Sequence, residues 1–279
     1  MSAFRPYLFI AILILAPFSA QADSIDLIDR GEEGWRFDIT PYAFLPASIE
    51  GTSVVAGSEL KLDLDFQDAL DLLDFAFSAR TEGWKGNFGV ISDLYYIDLG
   101  VDAELEIPPP PPGEATLFID ADIRQAWLSA LGAYRFAHGE YGSNGYRYAW
   151  DVSLGARWNY LKQEIRTRLG TDIGIADGQQ QKLGGSESWW EPVIGLRGMA
   201  EISPCLAMAI RLEAGGFGVN DDERQWIGLI GLDWRPWEHT SLKFGAQAYG
   251  IDYETRKSDG EFAYDIEQYG PYLGVTLRF

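Results

Sequence analysis

The sequence predicts an all-β protein that folds as an antiparallel up-and-down transmembrane β-barrel of ten strands, with eight and twelve strands as the alternatives. Residues 146–160 alternate between apolar and polar side chains almost without interruption, and a period of two is the period of a β-strand. Residues 262–279 end the chain on a second alternating stretch. After the N-terminal leader no apolar run approaches the roughly 18 residues that a membrane-spanning helix needs, so strands would cross the membrane.

The apolar face of residues 146–160 has the profile of a bilayer cross-section. Val152, Leu154 and Ala156 form an aliphatic or small middle, and aromatic side chains stand at both ends. Tyrosine and tryptophan prefer the two membrane interfaces, where a ring meets both apolar chains and water. The predicted girdle residues are Tyr146, Tyr148, Trp150, Trp158 and Tyr160.

The opposite faces of the predicted strands carry charged side chains of both signs, and in a membrane-spanning barrel these faces line the lumen. A ten-stranded lumen is narrow. An unpaired charge inside it would be costly, so we expect the interleaved cations and carboxylates to pair. The predicted lumen-facing charged residues are Arg124, Arg147, Asp151, Arg157, Glu191, Arg197, Glu201, Arg211, Glu213, Asp233, Arg235, Lys243 and Arg278.

Each strand is predicted from an alternating stretch that is bounded by turn residues. In the first strand, Trp35 and Phe37 alternate with charged residues, while Pro41 suggests a bulge or a backbone nitrogen that faces away from the ladder. The loop that follows contains a short hairpin or flap at residues 60–65 and one helical turn. The predicted strands are residues 35–45, 75–84, 88–99, 116–136, 146–160, 189–202, 206–219, 226–234, 242–253 and 262–279.

Short turns alternate with longer loops between these strands. Residues 85–87 form a tight turn, and residues 138–145 and 203–205 form two more short turns. Five prolines at residues 108–112 mark the stiff tip of a long loop, and residues 170–186 form a loop rich in glycine and glutamine. This alternation predicts short periplasmic turns, long outer loops and two periplasmic termini.

The N-terminus has the features of a secretory signal peptide. Arg5 precedes an apolar run at residues 7–16, and small residues stand at Ala20 and Ala22. The run is too short for a membrane-spanning helix. We therefore expect a signal peptide at residues 1–22 and a single barrel domain at residues 23–279.

Composition excludes one class of partner. The chain has 42 acidic residues against 22 lysines and arginines, a formal net charge of -20, which argues against binding to nucleic acid. The mean hydropathy of -0.12 by itself suggests a soluble protein, but a polar lumen and polar loops offset the lipid-facing surface of a barrel. The only cysteine, Cys205, cannot form an intramolecular disulfide.

For function, the sequence predicts a structural or surface role, with no enzymatic activity, cofactor or metal. The near balance of charges in the lumen favours a closed or barely conducting barrel with acidic surface loops. Two alternatives stay open. One is a narrow porin-like channel for ions or small solutes, and the other is an outer-membrane hydrolase that acts on lipid A or phospholipid.

The hydrolase alternative depends on His239, Ser241 and Glu254, which resemble in part the His-x-Ser and Glu arrangement of lipid A deacylases. A serine nucleophile needs a base within hydrogen-bonding distance and an acid that orients the base. The predicted topology places His239 in a periplasmic turn and Glu254 a full strand away. The second histidine, His138, lies in another turn.

The acidic residues of the first long loop suggest a site for divalent cations. Clustered carboxylates are oxygen ligands suited to Ca²⁺ or Mg²⁺, but their spacing here matches no known ligand loop. A solvated acidic loop, or an acidic first turn of a helix, explains the same pattern. The residues are Asp63, Asp65, Asp68, Asp71 and Asp74.

Three motifs, ITPYAFLPASIEGT, DLDFQDALDLLDFAF and GWKGNFGVISDLYYIDL, resemble a family of uncharacterised outer-membrane β-barrel proteins of proteobacteria. The resemblance runs over the whole mature chain and implies a place in the outer membrane of a Gram-negative bacterium, among its lipids and lipopolysaccharide. It supplies no catalytic residue. The final strand ends in Phe279, which resembles the insertion signal of such barrels, so we expect the outer-membrane assembly machinery to be a partner.

Overall fold

The computed structural model describes residues 34–55, 57–107, 115–171, 180–219, 223–257 and 260–279. They form almost exclusively β-strands, with one short helix. In chain order the elements are β1 (Arg36–Phe44), β2 (Ser48–Val55), β3 (Ser58–Asp65), α1 (Phe66–Asp71), β4 (Leu73–Lys85), β5 (Phe88–Ile107), β6 (Ala115–Tyr141), β7 (Tyr146–Thr171), β8 (Gln180–Ser203), β9 (Leu206–Gly215), β10 (Arg224–Trp234), β11 (Thr240–Lys257) and β12 (Gly260–Arg278).

Ten of these strands close into an antiparallel barrel, which confirms the predicted fold class. The order around the barrel is β1, then β4 to β12 in sequence, and β12 pairs back to β1. The barrel closes through the antiparallel pairing of β1 with β12, in which Asp38 lies opposite Arg278 and Ala43 lies opposite Leu273. A closed ladder leaves no unpaired sheet edge.

The remaining two strands form a hairpin that extends the wall at the closing seam. Strand β1 pairs with the C-terminal half of β12, β2 pairs with its N-terminal half, and β3 pairs with β2. Where the chain passes from β1 to β2, Leu45 N donates to Pro271 O at 3.1 Å and Ala47 N donates to Tyr269 O at 2.7 Å. A Cβ on Gly270 would overlap Leu45 O, so this junction requires glycine.

The predicted helical turn is α1, and two of the acidic residues form its N-terminal cap. Asp65 Oδ1 accepts hydrogen bonds from Gln67 N at 2.8 Å and from Asp68 N at 3.0 Å, and the Asp68 side chain accepts from Asp65 N in return. This is a capping box with Asp at both positions. Helix capping therefore accounts for Asp65 and Asp68 without a metal ion.

The two ends of the barrel differ in height. At one end the connections are short, as at Gly86 and Asn87 between β4 and β5; Gly86 has a φ of +57°, which favours glycine. At the other end the strands are longer, because β5 to β8, and also β11 and β12, stay paired well beyond the ends of the remaining strands. We call the short-turn end the lower end, and it holds the start of β1 and the end of β12.

Several strands run further than the sequence predicted. Strand β6 continues to Tyr141 rather than residue 136, β7 continues to Thr171 rather than residue 160, and β8 begins at Gln180 inside a predicted loop. The prediction ended these strands where the apolar outward face ended, but their backbones stay paired beyond that point. By contrast, β9 is shorter than predicted and ends at Gly215 rather than residue 219. The predicted signal peptide and the proline run at residues 108–112 lie outside the described residues.

No helix among the described residues is both long enough and apolar enough to cross a membrane.

Candidate functional site in the barrel interior

Strand β7 illustrates how the barrel separates its two faces. Asp151, Arg157 and Asn159 are buried in the interior. Val152 and Leu154 point outward, and Leu154 is 67% exposed. The outward faces of the other barrel strands carry further exposed apolar side chains, among them Phe37, Val90, Leu94, Leu128, Ile194, Leu196, Met208, Leu212, Ile230, Phe244 and Leu273.

Ionic contacts near the lower end join the strands that close the barrel. Arg278 on β12 lies 3.3 Å from Asp233 (Nη2 to Oδ2) and 3.7 Å from Asp38 on β1 (Nε to Oδ2). Lys243 Nζ lies 3.8 Å from the same oxygen of Asp233. These contacts connect β1, β10, β11 and β12 from the inside.

Two further cations of the predicted set lie near the lower rim. Arg147 Nη2 lies 2.7 Å from Glu201 Oε1, and the backbone N of Arg147 donates to Glu201 Oε2 at 2.9 Å. Arg235 is buried just after β10 and donates through Nε (3.1 Å) and Nη2 (2.5 Å) to the carbonyl oxygen of Glu238. Arg147 thus holds the end of β8 in place, and Arg235 holds the turn that follows β10.

Arg157 is fully buried at mid-height. Its Nη2 lies 2.5 Å from Glu213 Oε2 and its Nη1 lies 3.4 Å from Glu191 Oε1. The remaining Nε donates to Ser129 Oγ at 2.9 Å, and the guanidinium lies 5.8 Å from the centre of the Trp127 ring. A guanidinium with these partners has its donors used by the protein rather than by water.

Glu213 also connects Arg157 to a second set of ion pairs. Arg80 Nη1 lies 3.3 Å from Glu213 Oε1 and 3.0 Å from Asp93 Oδ2, and its Nε lies 3.0 Å from Glu82 Oε1. Arg211 adds contacts to Asp93 at 3.4 Å and to Glu213 at 3.8 Å. Both carboxylates are therefore shared between arginines from different strands.

The network ends on an aromatic ring. Arg197 lies 2.6 Å from Glu82 Oε2 and 2.7 Å from Asp151 Oδ2, and Arg135 Nε lies 2.9 Å from Asp151 Oδ1. The guanidinium carbons of Arg135 and Arg197 lie 4.8 Å and 5.3 Å from the centre of the buried Trp84 ring, within cation–π range. At mid-height the interior is therefore occupied by connected ion pairs.

Above the ion pairs the interior is apolar and aromatic, which the sequence analysis missed. Trp127 stacks between Tyr95 and Tyr249, with ring centres 4.0 Å and 5.2 Å away, and Trp189 stacks on Tyr253 at 4.0 Å. Around these rings are buried Phe44, Ile49, Ala69, Ile97, Leu99, Leu161, Ile251, Phe262, Tyr264 and Ile266. The sequence did contain a signal for this aromatic interior. On β11 the alternate positions that place Lys243 inward also place Tyr249 and Tyr253 inward.

The hairpin helps to fill this upper interior. Ile49 and Val55 on β2 are buried, and so is Ala69 on α1. Val55 reaches β8 on another part of the wall, where a Cβ on Gly184 would lie 2.8 Å from Val55 Cγ1. The segment between β1 and β4 therefore packs inward over the upper end of the barrel.

Arg124 was predicted wrongly to face the lumen. On β6 the inward residues are Gln125, Trp127 and Ser129, which are buried, while the Arg124 side chain is 40% exposed and contacts Asp98 Oδ2 at 2.8 Å. Both lie on the outer face. The prediction assumed that charge marks the inner face, and that rule fails where water rather than lipid surrounds a strand.

A second ionic cluster lies on the same upper outer face. Glu164 on β7 contacts Lys182 at 2.6 Å, Arg166 at 2.8 Å and Lys162 at 3.0 Å, and Lys162 and Arg166 also contact Asp122. Burial by itself raises the pKa of Glu164, but hydrogen bonds from Lys182, Lys162 and Arg166 outweigh burial and lower the pKa to about 2. This carboxylate is ionised at neutral pH.

The predicted girdle residues all lie on the outer face of β7 and are partly exposed. Trp158 stacks on Tyr160 with ring centres 6.2 Å apart, at the upper end of the apolar face. Tyr146 and Tyr148 lie near Tyr141 at the lower end, and Trp150 covers Gly198, where a Cβ would lie 2.7 Å from the indole. Contact with membrane interfaces stays a prediction.

The hydrolase residues are not assembled into a site. The His239 side chain is 73% exposed and lies 3.9 Å from Glu238, whereas Ser241 is fully buried and its Oγ has no hydrogen-bond partner among the described residues. Within the same residues, no three His, Cys, Asp or Glu side chains are arranged to hold a metal ion. The expected cation site on the acidic loop stays a prediction.

The C-terminal Phe279 lies at the lower end of the seam. Its backbone N donates to Phe37 O at 2.9 Å, and Phe37 N donates to Phe279 O at 3.2 Å. The ring is 70% exposed on the outside. Its backbone therefore completes the ladder of the closing strands, and its role as an assembly signal stays a prediction.

Comparisons with known proteins return only distant similarities. No protein-family model matches the chain, and no curated protein matches its sequence. Ail, the attachment invasion locus protein of Yersinia pestis, solved in complex with the heparin analogue sucrose octasulfate, is 14% identical with a TM-score of 0.35 over 89% of this chain and 100% of that chain. The translocator domain of the autotransporter NalP from Neisseria meningitidis is 13% identical, with a TM-score of 0.37 over 90% of each chain.

A third solved structure, the P. putida toluene transporter TodX, is 10% identical, with a TM-score of 0.29 over 89% of this chain and 91% of that chain. At these identities and TM-scores, none of the three bears on the function of this protein. The resemblance to uncharacterised outer-membrane barrels stays a prediction as well. The function must be inferred from the geometry of the barrel itself.

Proposed function

We propose that the protein is an integral β-barrel of a Gram-negative outer membrane, with a closed interior and a structural or surface role rather than an enzymatic one. The observation that carries the proposal is a reversal of polarity along the strands. Outside the lower half the side chains are apolar and inside they are charged, as at Leu154 and Asp151. Outside the upper half they are charged and inside they are apolar, as at Lys162 and Leu161.

The reversal is explained if the lower half of the barrel wall contacts lipid and the upper half contacts water. A strand that crosses a bilayer turns apolar side chains to lipid and polar ones to the lumen, whereas a strand in water buries its apolar side chains. The short-turn end and both chain ends would then be periplasmic, and the acidic loops would lie outside among lipopolysaccharide. Export, the signal peptide and recognition of Phe279 by the assembly machinery belong to the same proposal.

A closed interior is favoured over a channel because large side chains of the lumen are shielded from solvent. Trp84, Trp127, Arg157, Tyr249 and Phe262 are each less than 2% exposed. Arg157 has the carboxylates of Glu191 and Glu213 as partners, and breaking such a buried pair leaves an uncompensated charge. Ions would have to displace these groups to pass.

Cell fractionation and gel migration test the membrane part of the proposal. We expect the chain to fractionate with the outer membrane and to migrate differently before and after boiling, because a closed ladder resists detergent until heated. Recovery as a soluble periplasmic protein would overturn the membrane assignment. Refolding the protein in detergent without export tests the closed ladder independently of the signal peptide.

Planar-bilayer recording separates the closed barrel from the narrow channel. We expect little or no conductance from the refolded wild type, and reduced stability in Arg197→Ala or Glu191→Ala because each removes one charge from the buried ion-pair network and leaves the opposite charge in excess. A stable channel whose ion selectivity changes in these two variants would instead establish the porin-like alternative, since charged groups in a pore select the ions that enter. Detergent carried through the refolding procedure without protein is the control.

A further inference from the structure

Strand β3 is an edge strand in the upper wall of the barrel. It pairs with β2 along residues 58–65, and among the described residues it pairs with no second strand. Because β2 follows β1 along β12, β3 occupies the place above β4, and α1 lies between β3 and β4 in the chain. On the far side of that place, β5 continues above its uppermost pair with β4, Leu99 with Leu73. An unpaired side of β3 therefore borders a break in the upper wall.

The last residue of β3 shows which backbone groups lie on this unpaired side. Asp65 N donates to the side chain of Asp68 on α1 at 3.3 Å, so it points away from β2. In an antiparallel strand the N–H and C=O of one residue point to the same side, and the side alternates from residue to residue. The backbone groups of Glu59, Lys61 and Asp63 therefore also point away from β2. We call this side of residues 59–63 the free edge.

The two faces of β3 have different chemistry. Leu62 and Leu64 are half-buried and pack against the upper apolar core. The side chains of Glu59, Lys61 and Asp63 alternate with them and are exposed on the outer face. A strand that is added beside β3 would therefore need apolar side chains toward the core and charged side chains toward water.

The surface around the free edge is acidic. Asp63 lies directly opposite Glu50 on β2, and Glu50 lies directly opposite Glu267 on β12. Like charges at directly opposite positions of a sheet repel each other. Residues 48–71, which include β2, β3 and α1, contain six acidic residues and a single cation, Lys61. A positively charged partner would relieve this repulsion.

A second copy of the chain is a poor occupant of the free edge. If two β3 strands paired antiparallel with Lys61 at the centre, Asp63 of each copy would stand opposite Glu59 of the other. Charged side chains on an edge strand are a device by which proteins prevent such pairing between copies. A basic segment meets the same carboxylates with attraction.

We propose that the free edge of β3 docks an extended, basic segment of a partner protein, which adds to the sheet as a further strand. In this mode of recognition, backbone hydrogen bonds supply affinity and side chains at alternate positions supply specificity. The segment carries lysine or arginine opposite Glu59 and Asp63, and apolar residues toward Leu62 and the core. The proposal deepens the proposed surface role, and it rests on the outer-membrane barrel only for placing β3 outside the cell.

Isothermal titration calorimetry of refolded wild-type protein in a neutral detergent tests the docking. The probe is the synthetic peptide Thr-Lys-Val-Glu-Val-Lys-Thr, capped at both ends, which as an antiparallel strand sets its lysines opposite Glu59 and Asp63 and its glutamate opposite Lys61. We expect saturable binding of one peptide per chain. The control peptide carries N-methyl groups on its three charged residues, whose N–H groups would face β3. It keeps the charges but loses the ladder, and should bind at least about tenfold more weakly.

These two peptides decide the question on the wild type, without any variant. The absence of saturable binding would overturn the proposal. Equal binding of the two peptides would overturn it as well, because charge attraction without a ladder would then explain the result.

Charge exchange tests the position of the segment. Asp63→Lys should weaken binding of the probe at least about tenfold, and the peptide Thr-Glu-Val-Glu-Val-Lys-Thr should restore it, because its first glutamate then lies opposite the new lysine. The matched control Glu254→Lys makes the same change of net charge at an exposed position on β11 and should leave binding unchanged. If both variants weakened binding equally, the peptide would respond to overall charge and the free edge would not be its site.

Asp63→Pro removes one N–H from the free edge. Proline is tolerated on an edge strand where its nitrogen faces away from the ladder, so the barrel should still form while binding is lost. A barrel of this variant that binds the probe as well as the wild type would overturn the proposal. So would a wild-type dimer in sedimentation velocity that Asp63→Pro abolishes, because a second copy would then occupy the edge.

Each sample is used only after heat-modifiable gel migration has shown that its barrel is closed. A failure of docking is thereby distinguished from a failure of the proposed barrel.

Discussion

The lower and upper halves of the barrel wall use the same strands in opposite ways. On β7, Val152 and Leu154 face outward below, with Asp151 and Arg157 inside. A few residues further up, Lys162 and Glu164 lie on the outside, and the buried Leu161 lies inside. The backbone and its pairing are continuous through this change. Strand geometry therefore fixes only the alternation, and the surrounding solvent decides which of the two faces is apolar.

The same reversal recurs on β11. Lys243 and Gln247 face inward below, whereas Ile251 and Tyr253 face inward above, and the exposed Glu254 lies outside. The lower half is held together by ion pairs that cross the interior. The upper half is held by a packed apolar core, as in a water-soluble barrel. These two interiors should respond differently to the same substitution.

The largest effect is expected from a charge placed in the upper interior. Ile251→Arg puts an unpaired guanidinium into the apolar core and should destabilise the barrel by about 4 kcal/mol or more, or prevent assembly. Guanidinium-induced unfolding of the refolded protein measures this. The matched control Glu254→Arg adds arginine to the outer face of the same strand and should change stability by less than about 0.5 kcal/mol.

If Ile251→Arg proved as harmless as Glu254→Arg, the upper interior would be wet rather than packed. The contrast between the two halves would then be wrong.

A charge on the lower outer face should have the next largest effect. Leu154→Arg should cost about 2 to 4 kcal/mol in a lipid bilayer, because the position would lie near the membrane midplane. The measurement is unfolding of the protein in vesicles. Glu254→Arg again serves as the control, since it adds the same side chain above the apolar face.

Equal costs for Leu154→Arg and Glu254→Arg in vesicles would mean that the apolar face of β7 is not in contact with lipid. The reversal of polarity would then need another explanation.

The smallest effect concerns the ionic cluster on the upper outer face. Because the folded pKa of Glu164 is lowered from 4.5 to about 2, its stabilising contribution is present above about pH 4.5 and is lost as the pH falls toward 2. Arg166 and Lys182 are partly exposed, so solvent screening limits the contribution to less than about 1 kcal/mol.

Comparing wild type with Glu164→Gln by denaturant unfolding at pH 7 and at pH 3 measures this contribution. The difference between the two proteins should be greater at pH 7 and should shrink in high salt. A difference that is independent of both pH and salt would show that Glu164 acts through packing rather than charge.

The sequence predicted the fold where lipid and lumen impose opposite polarities on alternate residues. Residues 146–160 alternate so strictly that the inward position of Asp151 and Arg157 could be derived from them. Arg124 could not be placed in this way, because above the apolar face the polarity rule reverses. Tyr249 and Tyr253 were missed for the same reason, since an inward aromatic residue contradicts the pattern expected of a polar lumen.

Glu223 was missed for a different reason. In the sequence it belongs to an acidic loop segment, NDDER, which has the composition of a solvated loop. In the fold Glu223 directly precedes β10 and is buried beside Glu191 on β8, a strand that does not pair with β10. No local pattern records such a contact.

By itself the sequence determined the all-β class and the period of the strand faces, and it favoured ten strands over eight or twelve, because these follow from alternation and from turn residues, which are local. Tertiary structure decided the rest. Which arginine meets which carboxylate, how Val55 reaches Gly184 across the upper end, and where the inner face changes from charged to aromatic all depend on strands far apart in the chain. Closure of the barrel brings those strands together. At each level of the wall, the surrounding medium then decides whether apolar or charged side chains are stable on the outer face.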